Sequence, residues 1–278
     1  MTSLEKSKRL RLPRLSNQQY EYVEKVCRDS GIPIGQCPTC LARPIEIDAG
    51  VYGWENGTYR LDGEEHECDC QTQMDLRVHY LLANIGEQYQ RLDWNRFQGS
   101  KDAKDGVALF LEKWRSFKLN GMGLEFSSPV LGTGKTFAAT HLGKEMVKQG
   151  EAVYFMPFRD IIDLLGHDRD YRTAQENRLR ETTILILDEV VPAISAAQRE
   201  LFAVKFEDVI RYRTNFNRVT IMTTNLEPED LHKEYPRTYS LLEAKQIRVK
   251  MTGDDARMGF IGMENLELVA NDEVRPIT

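Results

Sequence analysis

The sequence predicts an α/β protein built on a buried parallel sheet, preceded by a small cysteine-bearing module. Two stretches predict the sheet and its ligand. Val130-Leu131-Gly132-Thr133-Gly134-Lys135-Thr136 follows an apolar, strand-like run at Leu124 to Phe126 and precedes a helical run from Phe137 to Lys148. Strand, glycine loop, Lys-Thr and helix is the layout of a phosphate-binding P-loop. Ile184-Leu185-Ile186-Leu187 is a continuous apolar run, as a strand buried on both faces requires. Asp188-Glu189 ends it, at the edge where open α/β sheets place ligands. A third observation predicts the module: Cys37-Pro38-Thr39-Cys40 and Cys68-Asp69-Cys70 bracket a turn-rich segment.

Length and composition bound the reading. A chain of 278 residues suits one medium domain plus a smaller one. Its net charge of -6 excludes a free-standing polyanion binder, so any nucleic-acid contact comes from local basic patches or from assembly. No apolar run is long enough to span a membrane. The first residues are basic but lack an apolar segment, which argues against a secretory signal. The expectation is a cytoplasmic protein, with cysteines reduced or metal-bound.

Taken in order, residues 1–15 read as a basic, flexible tail with Pro13 interrupting any helix. Ser16 is a suitable N-cap for a helix from Asn17 to about Arg28, which places Tyr20, Val23 and Cys27 on one face. Cys27 then reads as a small buried hydrophobe. Between the cysteine pairs, Gly50, Gly53, Asn56-Gly57 and Asp62-Gly63 alternate with Val51-Tyr52 and Thr58 to Leu61, the composition of short hairpins. Zn²⁺ takes four tetrahedral ligands, and two thiolate pairs supply them, so Cys37, Cys40, Cys68 and Cys70 are the predicted structural zinc ligands. An extended strand puts His66 on the same side as Cys68 and Cys70, which makes it an alternative ligand.

Helical spacing resumes from Gln71 to about Tyr89, with Leu76, Tyr80 and Ala83 on one stripe. The run from Gly99 to Gly106 is polar and turn-like, which places a domain boundary between about Tyr89 and Gly99, and a helix from about Asp105 to Lys118 leads into the P-loop strand. In that loop the glycines turn backbone N–H groups toward a polyphosphate, and the helix N-terminus adds partial positive charge. Lys135 reaches the phosphates and the Thr136 hydroxyl holds Mg²⁺. The first glycine of the usual motif is Pro129 here, so the loop must begin its turn differently.

A second strand is expected at Ala152 to Met156 and a helix from Phe158 to Leu165. Arg159, Arg169, Arg172, Arg178 and Arg180 read either as a solvated face or as a single-stranded nucleic-acid groove with Tyr171 as a stacking residue. Asp188 orients Mg²⁺ and Glu189 polarises a water. A helix runs from Ala196 to about Thr214, a strand from Val219 to Thr223, and a last strand from Ile247 to Met251. Thr224-Asn225 lies at a strand tip beside Asp188, placed to position the same water.

The cysteine pairs, Gly-Thr-Gly-Lys-Thr, Ile-Leu-Ile-Leu-Asp-Glu, the Thr-Thr-Asn strand end and Gly253-Asp254-Asp255-Ala256-Arg257 together resemble DnaC-type replicative helicase loaders. The resemblance implies an AAA+ ATPase with a five-stranded parallel sheet and little or no C-terminal lid. It implies ATP, Mg²⁺ and Zn²⁺ as cofactors. Its implied partners are a hexameric replicative helicase, single-stranded DNA and further copies in an open ring or spiral, in a bacterial cell or phage-infected host. By position, Gly132, Thr133, Gly134, Lys135 and Thr136 form Walker A, and Asp188 and Glu189 form Walker B. Asn225 is sensor 1 and Arg257 is sensor 2. The family's Arg-x-x-Ser-Arg-Leu is Arg237-Thr238-Tyr239-Ser240-Leu241-Leu242 here. Arg237 is therefore the candidate trans-acting arginine, with Arg211 and Arg213 behind it. The implied organisation is a tail at 1–15, a zinc-binding, helicase-binding domain at 16–92, an ATPase domain at 93–257 and a C-terminal tail at 258–278. Two other readings remain open: an IstB-type transposition helper, and a nucleotide-switched adaptor without hydrolysis.

Overall fold

A computed structural model describes residues 10–29, 31–48, 51–164, 168–192, 196–253 and 262–278. Helix α1 (Asn17–Asp29) is followed by two antiparallel hairpins, β1 (Pro44–Asp48) with β2 (Val51–Trp54), and β3 (Thr58–Leu61) with β4 (Glu64–Glu67). Then come α2 (Cys70–Leu82), α3 (Glu87–Gln90), α4 (Lys101–Glu112) and α5 (Trp114–Asn120). Asp69 caps α2 by accepting from the Thr72 N–H, and Ser100 caps α4 by accepting from the Ala103 N–H. Each cap satisfies a helix-end donor that has no intrahelical partner. The single helix expected up to Lys118 is thus two, divided at Lys113.

The sheet is made of β5 (Gly123–Ser127), β6 (Val153–Pro157), β7 (Ile184–Val190), β8 (Val219–Thr224) and β9 (Gln246–Lys250). All pairings are parallel, in the order β6-β7-β8-β5-β9. Strands β5 and β8 are buried along their whole length, as the apolar runs in the sequence require. The connecting helices are α6 (Lys135–Lys148), α7 (Asp160–Asp163), α8 (Arg169–Glu181), α9 (Ala196–Asn215), α10 (Pro228–Glu234) and α11 (Pro236–Glu243), and α12 (Gly262–Ala270) follows β9. One face of the sheet packs Leu76, Tyr80, Phe110, Leu142 and Met146 from α2, α4 and α6. The other packs Leu179, Phe206, Ile210, Leu231 and Tyr239 from α8 to α11. Among the described residues no helix is long and apolar enough to cross a membrane.

The last residues of the chain, for which the sequence offered no signal, form a strap between module and core. Val274 N–H donates to Arg60 O at 2.9 Å, and Ile277 is buried in the main apolar cluster. Gln73 closes a two-way bond with Ile277, accepting its N–H at 2.6 Å and donating to its carbonyl at 3.1 Å. Lys144 on α6 binds the far end, with Nζ donating to Leu92 O at 2.6 Å, Gln90 O at 3.2 Å and Thr278 Oγ1 at 2.8 Å. Burial pushes its amine down to about 7, with Lys148 adding to the effect. In either protonation state the nitrogen keeps donors for both carbonyls.

Lys144→Met removes a buried polar group and three hydrogen bonds, leaving Gln90 O with the Thr278 N–H and Leu92 O with the Thr278 hydroxyl as remaining donors. The lost bonds should outweigh the relief of desolvation, with a loss of about 1 kcal/mol in the free energy of unfolding. Urea denaturation reads it, and an unchanged midpoint would show that the clasp carries no stability.

Candidate functional site

The P-loop joins the end of β5 to the start of α6. Gly132 and Gly134 hold φ of 72° and 86°, a region open to glycine and strained for other residues. A Cβ on Gly134 would also stand 2.6 Å from the Phe97 ring. At Pro129 the turn is started by Ser128, whose Oγ accepts the Val130 N–H at 3.3 Å. Lys135 Nζ folds over the loop and donates to Val130 O at 2.9 Å and Ser128 O at 3.3 Å. These are neutral carbonyls, so an anionic phosphate is the stronger acceptor.

Asp188 lies buried at the end of β7, and two hydroxyls donate to its Oδ1. Thr136 Oγ1 does so at 2.9 Å and Thr223 Oγ1 at 2.7 Å. Burial raises the carboxyl pKa, while the two hydroxyls pull it back. A cation beside the carboxylate would offset the first effect. Glu189 follows with φ of 55°, in the left-handed region. The β7–β8 register slips there, from Leu187 opposite Met222 to Val190 opposite Thr224. The Glu189 N–H donates to Thr223 Oγ1 at 2.9 Å, and its side chain lines the cleft. A non-glycine residue in this conformation costs on the order of 1–3 kcal/mol. Here it turns a carboxylate outward that regular alternation would leave in the sheet.

Gly132, Thr133, Gly134, Lys135, Thr136, Glu189 and Asn225 line one cleft. Asn225 Oδ1 is buried without a hydrogen-bond partner, an acceptor that awaits a ligand or water. Tyr89, Leu92 and Phe97 line the same cleft. Phe97 stacks on Trp94 at 4.4 Å, and Trp94 stacks on His141 at 4.5 Å. Burial lowers the His141 pKa to about 4, so the stack is neutral. The donor set therefore fits Mg²⁺ and nucleotide: a glycine cradle, a lysine on weak acceptors, a hydroxyl–carboxylate pair, and an end lined by Tyr89, Leu92 and Phe97.

The cysteines form a second centre. Cys37, Cys40, Cys68 and Cys70 bring their sulfurs within 4.8 Å of one another. The Cys37–Cys68 and Cys40–Cys70 separations are 3.6 and 3.4 Å. Tetrahedral thiolates on zinc stand roughly 3.8 Å apart, given Zn–S bonds of about 2.3 Å. The arrangement is compatible with a zinc module. Gly57 makes room for it, since a Cβ there would stand 2.7 Å from Cys40 Sγ. His66 is outside the cluster; its Nε2 is 3.2 Å from Leu61 O and its ring stacks on Tyr59. His66 does not share a side with the cysteines because Cys70 begins α2 and does not continue β4.

Residues 127–242 match the family model of the IstB-like ATP binding proteins. These residues form an IstB/DnaC-like AAA+ domain. No curated protein sequence matches the chain. Among solved structures, DnaI is similar at 16% identity and TM-score 0.51, over 60% of this chain and 94% of that one. The DnaC helicase loader is similar at 21% identity and TM-score 0.50, over 60% and 100%. The replication initiator DnaA, bound to AMPPCP and single-stranded DNA, is similar at 20% identity and TM-score 0.52, over 66% and 56%. At these identities the likeness is one of fold, the AAA+ sheet with helices on both faces.

Three arginines separate on exposure. Arg237 is 82% exposed and does not line its own chain's cleft. Arg211 is paired with Glu207. Arg213 is buried, and donates to Thr220 Oγ1, Leu179 O, Thr182 O and Val219 O. This excludes Arg213 as a trans-acting arginine, because its guanidinium is consumed inside the fold. Arg257 lies outside the described residues. Arg178 stacks on Tyr154 at 3.9 Å and donates to Leu82 O, so it is no free member of a basic groove. Sequence reasoning missed Thr223 and Phe97 as site residues. A polar residue in a strand buried throughout was the available signal for Thr223; Phe97 had none, because its ring reaches the loop only through the tertiary fold.

Asp188→Asn keeps an acceptor for both hydroxyls and removes the buried charge. It should raise the melting temperature without nucleotide by roughly 2 °C. It should also abolish the further rise that Mg²⁺ and ATP give the unaltered chain. Thermal melts with and without both ligands check this, and a retained Mg²⁺-dependent rise would refute it.

Proposed function

We propose that the chain is an ATPase that loads a ring-shaped replicative DNA helicase onto single-stranded DNA. The observation that carries the reading is the union of an IstB/DnaC-like AAA+ domain with a four-cysteine module. The similar DnaI and DnaC folds support it. The cysteine centre holds one structural zinc, since hairpins this small have little core of their own. The module then grips the helicase, and the AAA+ domain binds nucleotide, single-stranded DNA and neighbouring copies. Such neighbours pack head to tail, so an open ring or spiral follows.

Bound ATP with Mg²⁺ supplies a phosphoanhydride whose terminal phosphoryl group is transferred to water. Lys135 leaves its carbonyl acceptors for the phosphate oxygens, while Thr136 and Asp188 hold the metal ion. Glu189 takes the proton of the attacking water, and Asn225 Oδ1 accepts its other hydrogen. Arg237, exposed and outside the lining of its own chain's cleft, reaches the cleft of the next copy. Its family partner is Leu241, so this contribution rests on a single arginine. The resemblance to helicase loaders gives Arg257, the predicted sensor 2, a further phosphate contact.

The family match itself favours one other reading, a transposition helper. The two separate in binding assays. A loader captures a replicative helicase and prefers single-stranded DNA; a transposition helper binds duplex DNA when ATP is present and captures no helicase. Absence of helicase capture with and without ATP removes the loader reading.

Two further outcomes are expected. Glu189→Gln should keep ATP binding and lose at least about 100-fold in turnover. Turnover that is absent from the unaltered chain, even with helicase and single-stranded DNA, would point to the adaptor without hydrolysis. Metal analysis of the full chain should give about one zinc, held by four thiolates. A chain that folds with no zinc would remove the metal from this reading.

A further inference from the structure

We infer that Arg275, delivered by the C-terminal strap, is a nucleotide-contacting residue of the cleft. The inference rests on the nucleotide reading above and assigns a further residue to that site.

Arg275 lines the cleft together with Arg96, Glu264 and the P-loop residues. Its side chain is only 10% exposed. Arg275 Nη2 is 2.7 Å from Glu264 Oε2, close enough to pair but poorly aligned for a hydrogen bond, and Nε has no acceptor. A buried guanidinium with idle donors is costly unless something supplies oxygens. Arg96 is better provided for. It donates to Glu264 Oε1 at 2.9 Å and to both Asp62 oxygens, at 2.7 and 2.5 Å. Two arginines therefore share Glu264, and Arg275 is the one left incompletely satisfied.

The strap holds Arg275 in place from both sides. Its own carbonyl accepts from Arg91, its neighbour Val274 is bonded to Arg60 O, and Ile277 is bonded to Gln73. A residue set so firmly, with unspent donors on a cleft wall, suits a planar, bidentate contact with an anionic oxygen. A polyphosphate brings that oxygen, and Glu264 becomes the carboxylate that competes with it. Glu264 thus restrains Arg275 until nucleotide enters.

Binding of a fluorescent ATP analogue to the full chain, with Mg²⁺, tests this. Arg275→Met keeps the aliphatic stem and should weaken binding about 10-fold, and Arg275→Lys should recover part of the loss. Glu264→Gln should leave binding unchanged or tighter, because it releases the arginine. If the Arg275–Glu264 pair only braced the fold, both neutral variants would weaken binding alike, and that result overturns the inference. Unaltered affinity in Arg275→Met also overturns it. Lys135→Ala run in parallel separates the two levels: loss there with no loss in Arg275→Met refutes Arg275 alone, whereas no loss in Lys135→Ala refutes the nucleotide reading of the cleft.

Discussion

Asp188 is a carboxylate set at the end of a strand whose preceding residues are all apolar and buried. A charge in that position has to be met by donors from whatever elements surround it. Thr136, at the start of α6, and Thr223, near the end of β8, meet it. The same Thr223 oxygen accepts the Glu189 N–H, so one hydroxyl holds both acidic residues in register. The bulge in the β7–β8 pairing and the positive φ of Glu189 follow from serving two masters: Asp188 stays inside the sheet while Glu189 turns out to the cleft. The P-loop helix, the acidic strand and the neighbouring strand are thus joined at a single atom, Oδ1 of Asp188.

Basic side chains tie the rest of the molecule together. Arg77 donates to Ile32 O and pairs with Glu87, and Arg91 donates to Pro38 O and to the strap. Lys144 and Arg213 are spent on carbonyls in the same way. These groups fasten loops and the ends of helices and strands, where a buried carbonyl without a donor is costly. The cysteine module is consequently attached to the nucleotide cleft by polar bonds, through Arg96 to Asp62 and through Glu273 to the Gly63 N–H. Such contacts are sensitive to a new anion in the cleft in a way that apolar packing is not.

The parallel sheet, its ligand edge and the convergence of the cysteines were legible in the sequence because each depends on local chemistry. Four apolar residues in a row admit few solutions beyond a buried strand, and a glycine loop between strand and helix turns its backbone N–H groups inward. The convergence of Lys135, Thr136, Asp188 and Asn225 at one edge of the sheet was legible for the same reason, since their positions follow from strand ends. His66 was misplaced because a helix begins at Cys70, and helix caps compete with strand alternation over a span of only a few residues.

What the sequence by itself determined was the order of the strands' chemistry: loop, acidic pair and polar strand tip, each at the C-terminal end of an apolar run. What the tertiary structure alone decided was which distant side chains meet there. Phe97 over Gly134, Thr223 under Asp188 and Arg96 beside Glu264 come from segments far apart in the chain, brought together by packing around the sheet. Arginines were the least legible. The same side chain serves as a surface charge, a buried clasp or a ligand contact, and only the number of carbonyls and carboxylates within reach distinguishes these roles.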